Sequence, residues 1–435
     1  MTDTGRRNLG SIAAVVIGRV PMLVAGPVAM YLVLLHGTLA AAAAVVVCLA
    51  LAVWTRPDVA QLMLLGLVPV AAAADPEGTF LPTLVLGTVV LLLFRAVLSG
   101  VRPRLDVLLI LLLACAVTVS CLLPQESFLV GRQWKACALL LTGLGVLTAS
   151  VLAPPDPRRI AQVVATSGAG VAAYLLVRGE YASGRLTGLG LNPNYLGAAV
   201  SVSLVAGVGL ARFSRSWQWL VPVAVSAAAL LQTRSRGAFL AAGAGLACVL
   251  LVDRPRRHKV LIAAAILAAV TVLPGSLDSL EGGLTGSRTS AELTANSEVR
   301  KQAALLAVHV AWDHPLRGIG YAMFPEFARS SPSLGIYINT HNDYLRLAAE
   351  SGLVTLALLG ALLWRGLARR LSGHHATLQS LGVAYAVGLL FANVLTNVVI
   401  STPFWVSLGC LLAHGAHRKP APSLSPPSRE SRKAE

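Results

Sequence analysis

Charge is what this chain has least of. Only 12% of its 435 residues are Asp, Glu, Lys or Arg, against roughly 25% in soluble domains. So few charges exclude a string of soluble domains, which would need a wetted polar surface. Aromatic residues are scarce too, at 6%, and no basic stripe with interleaved aromatics occurs. That excludes nucleic-acid binding as the meaning of the formal net charge of +16. Cys48, Cys115, Cys121, Cys137, Cys248 and Cys410 form no CxxC pair and lie in or beside apolar runs. They are expected to be buried free thiols, not a disulfide framework or a metal site. No small-residue cleavage site follows the first apolar run, so the N-terminus is expected to be retained. Internal repeats are lacking, which disfavours repeat-built secondary transporters.

Apolar sequence is what the chain has in abundance, at 56%, with a mean hydropathy of +0.72. The expected fold is all-α: a polytopic membrane protein of about 12–14 transmembrane helices with one large, partly helical extracytoplasmic loop. Candidate spans lie at 12–35, 38–54, 59–74, 80–98, 105–123, 135–153, 160–177, 194–211, 217–232, 237–252, 260–274, 351–368, 378–399 and 403–414. Alternate loops are basic, as in SGVRPR at 99–104, PPDPRR at 154–159 and DRPRRHK at 253–259. Because Lys and Arg are held on the cytoplasmic side during insertion, both termini are expected on the cytoplasmic side of the cytoplasmic membrane, with the active site on its extracytoplasmic face. The chain then divides into an N-terminal transmembrane bundle at 1–274, an extracytoplasmic loop at 275–345, C-terminal transmembrane helices at 346–416 and a disordered cytoplasmic tail at 417–435. A loop of about seventy residues with helical spacing of its own is usually functional.

Four outward-facing stretches are polar. They are GRLTGLGLNPNYLG at 184–197, QTRSRGAFLA at 232–241, DHPLRGIGYAMF at 313–324 and THNDYLRLAAESG at 340–352. In this order they resemble the O-antigen ligase/polymerase family of integral membrane glycosyltransferases. The resemblance rests on Arg185-Leu186-Thr187-Gly188 with Asn192-Pro193-Asn194, on Ser235-Arg236-Gly237-Ala238, on His314-Pro315-Leu316-Arg317-Gly318-Ile319-Gly320, and on His341-Asn342-Asp343-Tyr344-Leu345. It covers roughly residues 180–365. It implies a metal-independent, cofactor-free transfer on the extracytoplasmic face, from a glycan on undecaprenyl diphosphate to an acceptor hydroxyl on a glycan or lipid. The partners implied are that donor, the acceptor and membrane lipids, with no nucleic acid.

The residues themselves suit such chemistry. A departing diphosphate needs fixed cations, and arginine offers a permanent charge and a forked donor. Arg236 and Arg185 are the expected catalytic cations, with Arg234 and Arg317 as further phosphate contacts. His341, in the first turn of a helix capped by Thr340 and Asp343, is expected to be neutral, serving as base or as diphosphate donor. His314, Asn342 and Tyr344 join as candidate substrate-binding residues. Blander roles are expected for the rest. Arg346 and Glu350 read as a half-exposed i,i+4 pair, Asn393 and Asn397 as glue on one helix face, and Asn192 and Asn194 as shaping the start of a span. Glu298 and Arg300 are outlying candidates. Three rivals stand beside the ligase reading: a repeat-unit polymerase of the same family, a lipid-linked sugar transporter or flippase, and a structural scaffold. The transporter reading expects ionisable groups inside the membrane, where the sequence offers only Arg19 and Arg95 within apolar runs.

Overall fold

Short polar residues in the loops set where the helices begin. Asp156 accepts a hydrogen bond from Arg159 N at 2.9 Å, with Pro157 in the first helical position. Asn192 does the same for Asn194 N and Tyr195 N, at 3.0 and 3.1 Å, with Pro193 next. Both use a side-chain oxygen for an otherwise orphaned amide, and a residue that needs no amide there.

The computed structural model describes residues 38–74, 80–100, 104–124, 131–252 and 290–416. The expected spans at 12–35 and 260–274, the first part of the long loop and the tail at 417–435 lie outside these residues. In chain order the helices are α1 (Thr38–Thr55), α2 (Pro57–Ala74), α3 (Phe80–Leu98), α4 (Leu105–Leu122), α5 (Gly131–Leu152) and α6 (Pro157–Arg178). After a two-stranded hairpin come α7 (Pro193–Ser214), α8 (Leu220–Thr233), α9 (Arg236–Leu251), α10 (Ser290–Asp313), α11 (Phe324–Ser330), α12 (Asp343–Leu367), α13 (Gly373–Gly388) and α14 (Val398–Ala416). Among the described residues, seven helices are long and apolar enough to cross a membrane, and α9 is a shorter apolar one. The chain is an all-α, multi-pass membrane protein. Its core gathers leucine, valine and alanine around Trp405, Phe404 and Tyr385.

The two ends of the bundle differ. At one end Arg365 pairs with Asp106 at 2.7 Å, and Arg212 donates to the carbonyls of Val249 and Val252. At the other end lie the hairpin, the α8–α9 turn and the start of α12.

Two apolar runs depart from the expected spans. The run at 378–399 is not one helix: α13 ends at Gly388, residues 389–397 are irregular, and α14 starts at Val398. Asn393 and Asn397 therefore share no helix face. Asn397 instead caps α14, accepting from Val399 N at 3.1 Å. The run at 351–368 begins earlier, at Asp343, and is broken at Gly352, whose φ of 85° and ψ of 166° are not helical.

The break at Gly352 is where the loop docks. Ile319 N donates to Ala349 O and Gly320 N to Glu350 O, both at 3.0 Å, while Leu353 N donates to Pro315 O at 2.7 Å. The loop turn thus satisfies backbone groups that the break would orphan. Such closeness leaves no room for side chains. A Cβ on Gly318 would lie 2.3 Å from the Glu350 carbonyl carbon, and one on Gly352 would lie 2.5 Å from the Leu316 carbonyl. Gly352→Ala is expected to destabilise by about 2–6 kcal/mol, from backbone strain plus overpacking. Thermal unfolding of the detergent-solubilised chain reads this, and an unchanged midpoint would contradict the docking.

Candidate functional site

Arg185 sits on the second strand of the hairpin, Tyr181–Ala182 paired with Arg185–Leu186. Its two-residue turn, Ser183 and Gly184, has φ of 49° and 68°, the twist that tight hairpins favour. From there Arg185 Nε donates to Thr233 O at 2.9 Å and Nη2 to Asn194 Oδ1 at 2.8 Å. Ser235 Oγ donates to the same Asn194 oxygen at 3.1 Å and caps α9 through Ala238 N. Three separate stretches of sequence are joined by this one amide.

Arg234 and Arg236 flank that cap. Arg234 ends α8 in the left-handed region, φ 47°, and its Nη1 lies 3.6 Å from where a Gly184 Cβ would stand. Its guanidinium therefore lies over the hairpin turn. Arg236 is the first residue of α9 and is exposed. Gly237 behind it is pressed against Phe391, whose Cβ would be 2.5 Å from a Gly237 Cβ.

On the other side of residues 389–397 stands the start of α12. The helix cap is Asn342, not the expected Thr340: its Oδ1 accepts from Tyr344 N and Leu345 N at 3.0 and 3.1 Å. Thr340 Oγ1 instead donates to Asn342 O at 2.9 Å. Asp343 turns inward, accepting from Leu395 N at 2.9 Å, while its own N–H donates to Leu389 O at 2.8 Å. Tyr344 donates its hydroxyl proton to Ala386 O at 2.7 Å. His341 itself is half-buried and has φ of 52°, a conformation that costs free energy outside glycine and collects at functional sites. Burial, and then the charge of Arg300 on α10, push its pKa down to about 4. The imidazole is neutral at pH 7, as the sequence suggests, for a different reason from the helix dipole. Arg300, an outlying candidate, stands near enough to matter.

The pair Arg346 and Glu350 is buried, not half-exposed. Arg346 is 7% and Glu350 1% exposed, with Nε donating to Oε2 at 2.9 Å. Arg346 also donates to Thr396 Oγ1 at 3.2 Å, lies 4.0 Å from Asp343 and stacks over the Tyr321 ring at 5.1 Å. The carboxylate of Glu350 accepts from Ala322 N at 2.8 Å and Phe324 N at 3.1 Å. Its carbonyl takes the Ser120 hydroxyl of α4 at 2.6 Å. Hydropathy hides this cluster, since Tyr321, Thr396 and Ser120 lie far apart in sequence and read singly as neutral residues. The only trace of it is the i,i+4 charge pair within an apolar run.

Residues 389–397 are thus common ground. Phe391 touches the arginine turn, Leu389, Leu395 and Thr396 hold the α12 start, and Asn393 lies 3.5 Å from Thr340. This brings Arg185, Arg234, Arg236, His341, Asn342 and Tyr344 to one end of the bundle. His314 and Arg317 are set apart, on the turn that docks at Gly352, about 15 Å further along α12 at 1.5 Å per residue. Arg317 is exposed there. Among the described residues, no group of three or more His, Cys, Asp or Glu comes together as a metal site would require.

Residues 221–360 match the family model described as O-antigen ligase. The match begins in α8, takes in Arg234, Arg236 and the loop, and ends inside α12 beyond the Gly352 break. No curated protein matches the chain.

Proposed function

This multi-pass membrane protein belongs to the O-antigen ligase/polymerase family, and on that premise we propose that it moves a glycan from an undecaprenyl-diphosphate donor to an acceptor hydroxyl. The transfer takes place on the extracytoplasmic face of the cytoplasmic membrane and needs no metal. The acceptor oxygen bonds to the anomeric carbon, the bond from that carbon to the diphosphate breaks, and the lipid diphosphate leaves with the electron pair. Arg236 and Arg185 take up the growing charge on the diphosphate, with Arg234 beside them. His341 receives the proton of the acceptor hydroxyl.

One observation carries this reading: Gly237, next to Arg236, packs on Phe391 and Asp343, two residues past the neutral His341, holds Leu395, so the arginine turn and the histidine turn flank one irregular segment, 389–397. A free imidazole with a pKa near 4 is a weak base. An anionic diphosphate bound nearby favours its protonated form and raises its pKa toward the range where it accepts a proton. The sign of the pH dependence follows. The neutral form is the active one, so kcat/KM, which reports the free enzyme, is expected to hold as pH falls through 6.5 and to drop only near 4. The limb of kcat is expected at higher pH than that of kcat/KM. A kcat/KM limb at 6.5 or above would contradict the role given to His341.

The transporter reading gains ionisable groups that the sequence hid, because Asp343, Arg346 and Glu350 are buried along α12. Both oxygens of Glu350 nevertheless hold loop amides, which suits a structural clasp better than a site that must load and release a solute. Reconstitution with a lipid-linked oligosaccharide and alternative acceptors tests the proposal. One glycan moved onto a different molecule is the expected ligase outcome. Products lengthening on the lipid would make the protein a polymerase. Movement of the donor across the bilayer without a new glycosidic bond, or inhibition by EDTA reversed by magnesium, would overturn the mechanism.

A further inference from the structure

Beyond the exposed Lys301 and Gln302, the second half of helix α10 is apolar on two opposite sides. One side, with Ala303, Ala307 and Val310, is buried against α11 and α12. The other carries Leu305, Val308 and Trp312, which are 54%, 50% and 79% exposed, and Leu316 just past the helix is 76% exposed. At about 100° per residue, positions 305, 308 and 312 form a single stripe facing away from the buried one. A helix whose outer side met water would carry polar side chains there. We propose that this stripe is a membrane anchor, seated in the interfacial layer of the lipid bilayer.

Three observations select lipid as its occupant. The stripe runs out where α12 turns apolar: Pro315 O accepts from Leu353 N at 2.7 Å, and Leu353 and Val354 are themselves exposed on a candidate span. The patch therefore continues the lipid-facing surface of that helix. Its most exposed residue is tryptophan, which concentrates at the boundary between acyl chains and headgroups. Beside Leu316, the exposed Arg317 puts a cation at the level of headgroup phosphates. So anchored, α10 holds the docking turn at the bilayer surface and keeps Arg300 beside His341, whatever chemistry the site performs.

Lipid-depth quenching tests this on the full chain. The wild type and Trp312→Phe are reconstituted in phosphatidylcholine–phosphatidylglycerol vesicles whose acyl chains carry bromine near the glycerol or near the chain ends. The difference between their emission spectra is the signal of Trp312. That signal is expected to be blue-shifted, to lose at least half its intensity to the shallow bromines, and to lose less to the deep ones. Quenching by aqueous iodide with no effect of either brominated lipid would overturn the anchor. A signal insensitive to both quenchers at high protein-to-lipid ratio, and open to iodide on dilution, would also overturn it by making the patch a contact between copies of the chain.

Discussion

Arg236→Lys is expected to lower glycan transfer about 10²–10³-fold, close to the loss in Arg236→Ala. The argument turns on shape, not charge. Lysine keeps the positive charge but offers one rotating ammonium, whereas a diphosphate leaving group presents paired oxygens that a planar guanidinium meets with two parallel hydrogen bonds. Arg236 is the exposed first residue of α9, with Ser235 fixing the helix start behind it and Gly237 seated on Phe391. Neither support depends on the arginine side chain, so the protein should fold normally with lysine there. Transfer assays on membranes with matched protein levels read the effect. Near-wild-type turnover in the lysine variant would contradict forked recognition of the diphosphate.

Glu350→Ala is expected to be the most destabilising polar substitution in the site, by about 3–5 kcal/mol, the usual cost of breaking a buried ion pair from one side. Three losses coincide. Arg346 keeps Thr396 at 3.2 Å and Asp343 at 4.0 Å but loses its closest carboxylate. Ala322 N and Phe324 N lose their acceptor. Tyr321, buried over Arg346, loses a fixed neighbour. Because those amides belong to the loop, the variant should also loosen the turn at the Gly352 break. Its unfolding midpoint is expected to fall, and protease is expected to cut faster between residues 313 and 342. Glu350→Gln, which keeps an acceptor oxygen for one amide, should lose less. Equal midpoints for wild type and the alanine variant would show that the clasp contributes nothing.

Much of the fold could be read before any coordinate. Scarce charge and long apolar runs give the helices, and Asn192-Pro193-Asn194 marks the start of a span, whereas PPDPRR reads as a basic loop although Asp156 caps a helix that starts at Pro157. The misreadings have a common cause. Leu389, Leu390, Phe391, Ala392, Val394 and Leu395 are as apolar as a helix interior, so hydropathy cannot tell an irregular buried segment from a span. What makes it irregular is remote: Asp343 and Arg346 supply partners for its backbone and side chains. Gly352 likewise reads as one small residue in a helix until the loop glycine, Gly318, is found against it. The cap at α12 went to Asn342 over Thr340 because Asp343 is drawn inward to Leu395 and does not turn back to close a capping box. For the site, residue types together with the family resemblance nominate Arg185, Arg236 and His341. The part played by Arg300 at His341, and the separation of His314 and Arg317 from it, depend on how α10 lies along α12.

The most direct measurement is the coupled yield of two products from one reconstituted reaction: glycan joined to acceptor and polyprenyl diphosphate released. Wild type is expected to give one lipid diphosphate for each glycan transferred. Arg185→Ala with Arg236→Ala, and separately His341→Ala, should give neither product while remaining folded in the membrane. Either variant producing both at the wild-type rate would contradict the claim that these side chains take up the leaving group and the proton.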